Sequence, residues 1–228
     1  DELTLADHLA VCDMSTYLMG KTHMTPDMAV MTRLGIEPQS ELGRFLSNAG
    51  FGQGEHDDGL HTVGVSGGYG TGTPAYFEYL RKHGYAAKNP WVTHANAMQD
   101  EDGMLRNGMF LKYGHLPARV DKVHSETAYT TDRAIEMIQH MGPQNWCLHV
   151  SYIKPHWPLA APAPYHQMYR GMDLPQASKC ASQKINAHPI YQAFMDLPQS
   201  QTYAQDDCRN HALPTYYGLI KEIDDNLG

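Results

Sequence analysis

The side chains best suited to chemistry in this sequence are a lysine and two histidines in two short segments. Gly20-Lys21-Thr22-His23 follows the apolar run at residues 15–19, and Lys154-Pro155-His156-Trp157-Pro158 follows a second apolar run at 146–152. Lysine offers a compact positive charge for an anionic oxygen, and histidine donates or accepts protons near neutral pH. Two such segments, each at the end of a strand, predict a site for an anionic group.

Both runs have the length and composition of strands, and the residues after them cannot continue as helices. Pro155 and Pro158 block a helix, so we expect His156 on a rigid loop at a strand end. In open α/β sheets, ligands bind at the carboxyl ends of the strands. We therefore predict that the two strands are neighbours and that Lys21, His23 and His156 face a common cleft.

Helical patterns alternate with these strands. Helices are predicted at 3–11, from Pro74 to Lys82 with Tyr76, Phe77 and Leu80 inside, and at 125–141 with Ser125 as cap. A last helix is predicted at 214–227, opened by Pro214. The alternation predicts an α/β fold with a mostly parallel central sheet flanked by helices.

In two of these helices, regularly spaced residues are predicted to face inward. In the helix at 125–141 that face is Ala128, Thr131, Ile135 and Ile138. In the last helix it is Tyr216, Ile220, Ile223 and Leu227. Residues 24–72 and 85–120 have no comparable pattern and are expected to be loop excursions.

The ordered set of motifs resembles the sulfatase family of the alkaline phosphatase superfamily, above all its phosphonate monoester hydrolases and arylsulfatases. Besides the two segments above, the similar stretches are residues 5–9, 83–85, 89–91, 116–119, 124–135, 161–165 and 218–225. The resemblance implies an alkaline phosphatase-like fold over residues 1–228 and a hydrolase of sulfate, phosphate or phosphonate esters. It implies that Lys21 and His23 bind the transferred group and that His156 contacts the ester or leaving-group oxygen.

The resemblance also implies a divalent metal ion and a formylglycine nucleophile, made from Cys or Ser within Cys/Ser-x-Pro/Ala-x-Arg. This chain contains no such motif, and the family's metal carboxylates have no counterpart in it. We therefore expect a central piece of a larger enzyme, incomplete at both ends and inactive by itself. Asp57-Asp58, Asp206-Asp207 and Asp224-Asp225 are not expected to bind metal.

Other interpretations stay open at this point. Lys21 could be a solvated surface residue, His23 a loop hydrogen-bonder, and His156 a residue that only stabilises its turn. The chain could also be a non-catalytic anion-binding protein derived from the same fold. Lys and His at positions 21 and 23 resemble arylsulfatases, whereas the surrounding segments resemble phosphonate hydrolases, so the ester class is left open.

Bulk composition narrows the remaining function classes. The net charge is −8, which disfavours nucleic-acid binding because that depends on Lys and Arg. No apolar run is long enough to span a membrane. The four isolated cysteines are expected to be reduced thiols in a cytoplasmic protein, although their even number leaves two disulfides open. The expected partner is a small anionic ester; a homo-oligomer is compatible with the sequence.

Overall fold

The computed structural model describes residues 3–22, 27–38, 40–59, 74–176 and 180–228. Eight α-helices and five strands lie in this described part of the chain. The helices are α1 (Leu5–Ala10), α2 (Met28–Arg33), α3 (Glu41–Asn48), α4 (Ala75–Lys82), α5 (Glu126–Met141), α6 (Pro189–Met195), α7 (Pro198–Tyr203) and α8 (Asp206–Leu227). The strands are β1 (Ser15–Gly20), β2 (Gly52–His56), β3 (Ala97–Gln99), β4 (Leu105–Asn107) and β5 (Trp146–Ser151).

The larger sheet has three parallel strands in the order β2-β1-β5. β1 pairs with β5 in continuous register, from Ser15 opposite Trp146 to Gly20 opposite Ser151. The two predicted strands and their adjacency are confirmed, and so is the α/β class with a parallel sheet flanked by helices. Because all three strands run the same way, the segments that follow them begin at one edge of the sheet.

The third strand lies within the interval that was expected to be a loop excursion. β2 consists of Gly52-Gln53-Gly54-Glu55-His56, which contains no apolar residue and so gives no strand pattern. A Cβ at Gly52 would lie 2.9 Å from the carbonyl oxygen of Thr16, and one at Gly54 would lie 2.9 Å from that of Leu18. The glycines thus permit a close approach to β1, a role that periodicity does not reveal. The same interval contains α2 and α3, while 85–120 contains β3 paired antiparallel with β4.

The predicted buried positions are right in α4 and only partly right in α5. Tyr76, Phe77 and Leu80 of α4 are buried, as predicted. Ser125 caps α5, its hydroxyl accepting from the Ala128 amide at 3.1 Å. The predicted inward face of α5 is right at Ala128 and Thr131 and wrong at Ile135 and Ile138. These two isoleucines are exposed, because α5 buries mainly its first two turns, including polar residues.

Helix α8 begins at Asp206, so the prediction that Pro214 opens it is wrong. Pro214 lies inside the helix and cannot donate to the preceding turn. The next residue helps to hold this region, since the Thr215 hydroxyl lies 2.6 Å from the Gly114 carbonyl and 3.0 Å from that of His211. Upstream of the proline, Cys208 and Ala212 are already buried.

The buried face of α8 also differs from the predicted stripe. Tyr216, Ile220 and Leu227 are exposed and Ile223 is only partly buried, whereas Leu219 is fully buried. A Cβ at Gly218 would lie 2.2 Å from the Tyr165 carbonyl oxygen. The absent side chain lets the segment at Tyr165 pack directly on the helix. The helix therefore buries the face that contains Gly218 and not the predicted apolar stripe.

The chain divides into two compact units. The first comprises Asp1–Trp91 and Val123–Ile153, and the second Val92–Lys122 and Lys154–Gly228. The first contains the parallel sheet, and its buried side chains include Tyr76, Leu80 and Tyr129. The core of the second is formed by Leu159, Ala161, Tyr165, Ala212 and Leu219. No helix in the described ranges has both the length and the apolar character needed to cross a bilayer.

Candidate functional site

Lys21 is the first residue beyond β1, and its backbone is fixed to the end of β5. Its amide donates to the Ser151 carbonyl at 2.9 Å. Gly20 has a φ of +88°, and a Cβ there would lie 2.1 Å from the same carbonyl oxygen. Glycine is therefore required at the position that directs Lys21 away from the strand. The Lys21 side chain is partly buried; His23 lies outside the described residues.

A polar network that the sequence analysis missed holds the residue after Lys21. The Thr22 amide donates to Asp58 Oδ1 at 2.9 Å, and its hydroxyl lies 3.1 Å from His56 Nε2. His56 Nε2 is also 3.2 Å from Asp58 Oδ2. These contacts join the segments that follow β1 and β2, so Asp58 orients the predicted anion-binding segment. The signal in the sequence was a strand-end His-x-Asp, hidden because β2 itself was not recognised.

Asp57, between these residues, is buried and sits at the end of β2. Its amide donates to the Gly20 carbonyl at 3.1 Å, and its Oδ1 accepts from the Gly59 amide at 2.8 Å. Asp57 Oδ2 has no hydrogen-bond partner among the described residues. Burial, followed by the nearby Glu126 carboxylate, raises the pKa of Asp57 well above its ordinary value. The folded protein therefore favours the neutral form of this carboxyl group more than the unfolded chain does.

Glu126 is the second buried carboxyl group of this unit, at the first position of α5. It accepts from the Trp91 indole nitrogen at 2.6 Å. An acidic residue in the first turn also interacts favourably with the helix dipole. Glu126 thus helps to fix Trp91 and the start of α5.

In the second unit, His156 is at the exposed apex of a loop with buried ends. His156 and Trp157 are exposed, whereas Lys154 and Pro158 are buried, and Leu159 and Ala160 continue the buried run. His156 Nδ1 lies 2.5 Å from the Trp157 carbonyl oxygen. Because a carbonyl can only accept, Nδ1 carries the proton. Nε2 is then the ring atom left to meet a substrate, as an acceptor when neutral and as a donor in the imidazolium.

Lys21 belongs to the first unit and His156 to the second. The structure places Lys21 beside the last residue of β5, and the chain runs from that residue through Tyr152 and Ile153 to the His156 loop. The convergence of Lys21, His23 and His156 on one anion stays a prediction.

The family resemblance implies a metal ion, and the described residues bear on that expectation. Within the described ranges, no three His, Cys, Asp or Glu side chains come together in a way that could hold a metal ion. The remaining acidic pairs have other contacts: Asp206 pairs with Arg209 at 3.1 Å, and Asp225 accepts from Lys221 at 2.6 Å. None of the four cysteines forms a disulfide bond in the structure.

Comparison with known proteins agrees with this architecture. The profile of the Sulfatase family matches residues 12–228. The multifunctional alkaline phosphatase superfamily protein PehA of Trinickia caryophylli is 29% identical over 242 aligned positions, which cover 99% of this chain and 42% of that protein. The chain therefore spans less than half the length of this curated relative.

Two solved structures share the fold. The phosphonate monoester hydrolase of Silicibacter pomeroyi superposes with a TM-score of 0.67 at 22% identity, over 97% of this chain and 42% of its own. That of Agrobacterium radiobacter gives a TM-score of 0.66 at 20% identity, over 99% and 42%. With a family match over nearly its whole length and this fold, the chain belongs to the sulfatase family of the alkaline phosphatase superfamily.

Proposed function

We propose that this chain forms the substrate-binding part of a hydrolase of sulfate, phosphate or phosphonate esters. Lys21 and His23 bind the anionic oxygens of the transferred group, and His156 contacts the ester or leaving-group oxygen. The supporting observation is the bond between the Lys21 amide and the Ser151 carbonyl. It ties the lysine segment to the strand from which the His156 loop emerges.

The chemistry of each group suits its proposed role. Oxygens of a sulfuryl or phosphoryl group gain negative charge in the transition state, and a fixed ammonium at Lys21 stabilises that charge. The leaving oxygen needs a proton as its bond breaks. His156 can give this proton from Nε2, because the Trp157 carbonyl accepts from Nδ1 and leaves Nε2 to face the leaving oxygen.

The nucleophile and the metal site of the reaction are not assigned to residues of this chain. In the family, as the motifs imply, a formylglycine and a divalent metal ion supply them. The proposal therefore concerns binding of the anion and proton donation to the leaving group. A cytoplasmic location and a small anionic ester as substrate are parts of the same proposal, which leaves a homo-oligomer possible.

The test is hydrolysis by the whole gene product of matched aryl sulfates, phosphate esters and phosphonate monoesters. Lys21→Met and His156→Ala should each lower kcat/KM for the preferred ester, by about 10²- to 10⁴-fold for His156. His140→Ala, at an exposed histidine in the last turn of α5, is the matched control and should leave kcat/KM unchanged. Anion binding without turnover of any of these esters would favour the non-catalytic alternative.

A further inference from the structure

Lys154 is a buried cation with no part in the proposed function above. It is 6% exposed, although lysine is rarely buried without strong polar contacts. Its Nζ donates to Asn96 Oδ1 at 2.5 Å and to the Pro158 carbonyl at 2.8 Å. An ammonium loses much hydration on burial, so the oxygens that its donors meet must be held in place.

The bond from Lys154 to Pro158 closes a ring around the His156 apex. Both end residues are buried, and His156 and Trp157 between them are exposed. The Pro158 carbonyl also accepts from the Ala160 amide at 3.1 Å. The two prolines of this loop have no amide hydrogen and cannot close it by backbone bonds of their own. The lysine side chain supplies that closure instead.

The other contact of Lys154 leads to a rigid anchor. Asn96 is 2% exposed, and its main-chain carbonyl accepts from the Gly108 amide at 2.9 Å. A Cβ at Gly108 would lie 2.6 Å from the Asn96 carbonyl oxygen and 3.1 Å from Pro158 Cβ. Asn96 and Pro158 are thus packed against the same glycine, and the ammonium of Lys154 bridges both.

We propose that Lys154 is a positioning residue for His156. Its ammonium fixes the two ends of the loop, so that the imidazole is held with Nδ1 on the Trp157 carbonyl and Nε2 outward. This inference rests on the proposed function, because it assigns Lys154 an effect that operates only through His156. A lysine that merely stabilises the fold would act on every substrate and in every background alike.

A double-mutant cycle in the whole gene product separates these roles. Lys154→Met keeps the aliphatic stem and removes the donors. With an ester of a poor leaving group, it should lower kcat about 10- to 100-fold with little change in KM, as expected for a displaced catalytic group. In the His156→Ala background, the same change should cause no further loss. Lys184→Met, at an exposed lysine, is the control and should have no effect in either background.

Asn96→Leu provides a second cycle that removes the acceptor at the other end of the bridge. It should repeat the pattern more weakly, because the Pro158 contact remains. The ring resonances of His156, observed in ¹⁵N-histidine-labelled protein, should shift in Lys154→Met and stay unchanged in Lys184→Met.

Equal losses of kcat in the wild-type and His156→Ala backgrounds would overturn the positioning role, and so would unchanged His156 resonances in Lys154→Met. If His156→Ala leaves turnover intact, the proposed function fails. The resonances then still decide whether Lys154 fixes the loop.

Discussion

The amide of Lys21 donates to the carbonyl of Ser151 at 2.9 Å, one residue past the point where β1 and β5 stop pairing. This bond sets the direction in which the lysine segment leaves the sheet. Gly20 makes it attainable, because its φ of +88° turns the chain and its missing side chain leaves room for the Ser151 carbonyl. The proposed anion-binding segment that begins at Lys21 therefore depends on a glycine.

Gly20→Ala should lower the free energy of unfolding by more than the strain of a positive φ alone, which is about 1–3 kcal/mol. The added Cβ would also collide with the Ser151 carbonyl oxygen at 2.1 Å. Gly142→Ala is the matched control, since Gly142 has a φ of +62° and nothing within 4 Å of its Cβ position. Denaturant unfolding of both variants measures the difference. Equal losses of unfolding free energy would show that the collision with the Ser151 carbonyl adds no cost.

Asp57→Asn should stabilise the protein, with a gain that grows as pH rises. The pKa of Asp57 is raised in the folded state, so the folded protein binds this proton more tightly than the unfolded chain. The penalty is absent below the ordinary value of 3.8 and grows as pH rises through the folded-state pKa. Asparagine mimics the neutral form, so the gain should be larger at neutral pH than at pH 3.5.

Thermal or urea unfolding from pH 3.5 to 7.5 checks this dependence. Asp102→Asn, at an exposed carboxylate, is the control and should show no such trend. A loss of stability in Asp57→Asn that is constant across the range would contradict a destabilising buried charge at Asp57.

Tyr165 should make stability depend on pH in the alkaline range. Burial, together with its hydrogen bond to Asp225 at 3.0 Å, raises the pKa of Tyr165 to about 12. The contribution of the neutral phenol is complete below its ordinary value of 10.0 and is lost as pH rises through the folded-state pKa. Tyr165→Phe should be less stable by about 1 kcal/mol at pH 8, and the difference should shrink above pH 10. A constant difference up to pH 12 would contradict the assignment.

The parts of the fold that sequence predicts are those marked by local patterns. The runs at 15–19 and 146–152 and the Ser125 cap are of this kind, and the structure confirms them. β2 was missed because its glycines and polar residues serve a close approach to β1 rather than a hydrophobic face. The face of α8 was misjudged because contact with Tyr165 selects Gly218 and its small neighbours.

In the candidate site too, local motifs were predictable and contacts between distant residues were not. Lys21 and His156 could be proposed from short motifs, whereas their supporting contacts join residues far apart in sequence. His56 and Asp58 meet Thr22 across more than thirty residues, and Lys154 meets Asn96 across 58. Sequence spacing carries no information about such pairs, and the bond from Lys154 to Asn96 is part of the basis for the proposed positioning role.

The 228-residue chain, assayed by itself, should show no hydrolysis of sulfate or phosphate esters above background. It contains no Cys/Ser-x-Pro/Ala-x-Arg motif, and groups that position a substrate do not replace a nucleophile. The assay is release of an activated phenol by the repurified chain, with His156→Ala as the control. Turnover that survives repurification and disappears in His156→Ala would contradict this expectation.

The most direct test of the account is the dependence of kcat/KM on leaving-group pKa, measured with substituted phenyl esters in the whole gene product. If His156 protonates the leaving oxygen, His156→Ala should slow esters of basic phenols far more than those of acidic phenols, and its plot should be steeper than that of the wild type. If Lys21 contacts the transferred group, Lys21→Met should lower all points by a similar factor. Equal slopes for the wild type and His156→Ala would contradict proton donation by His156.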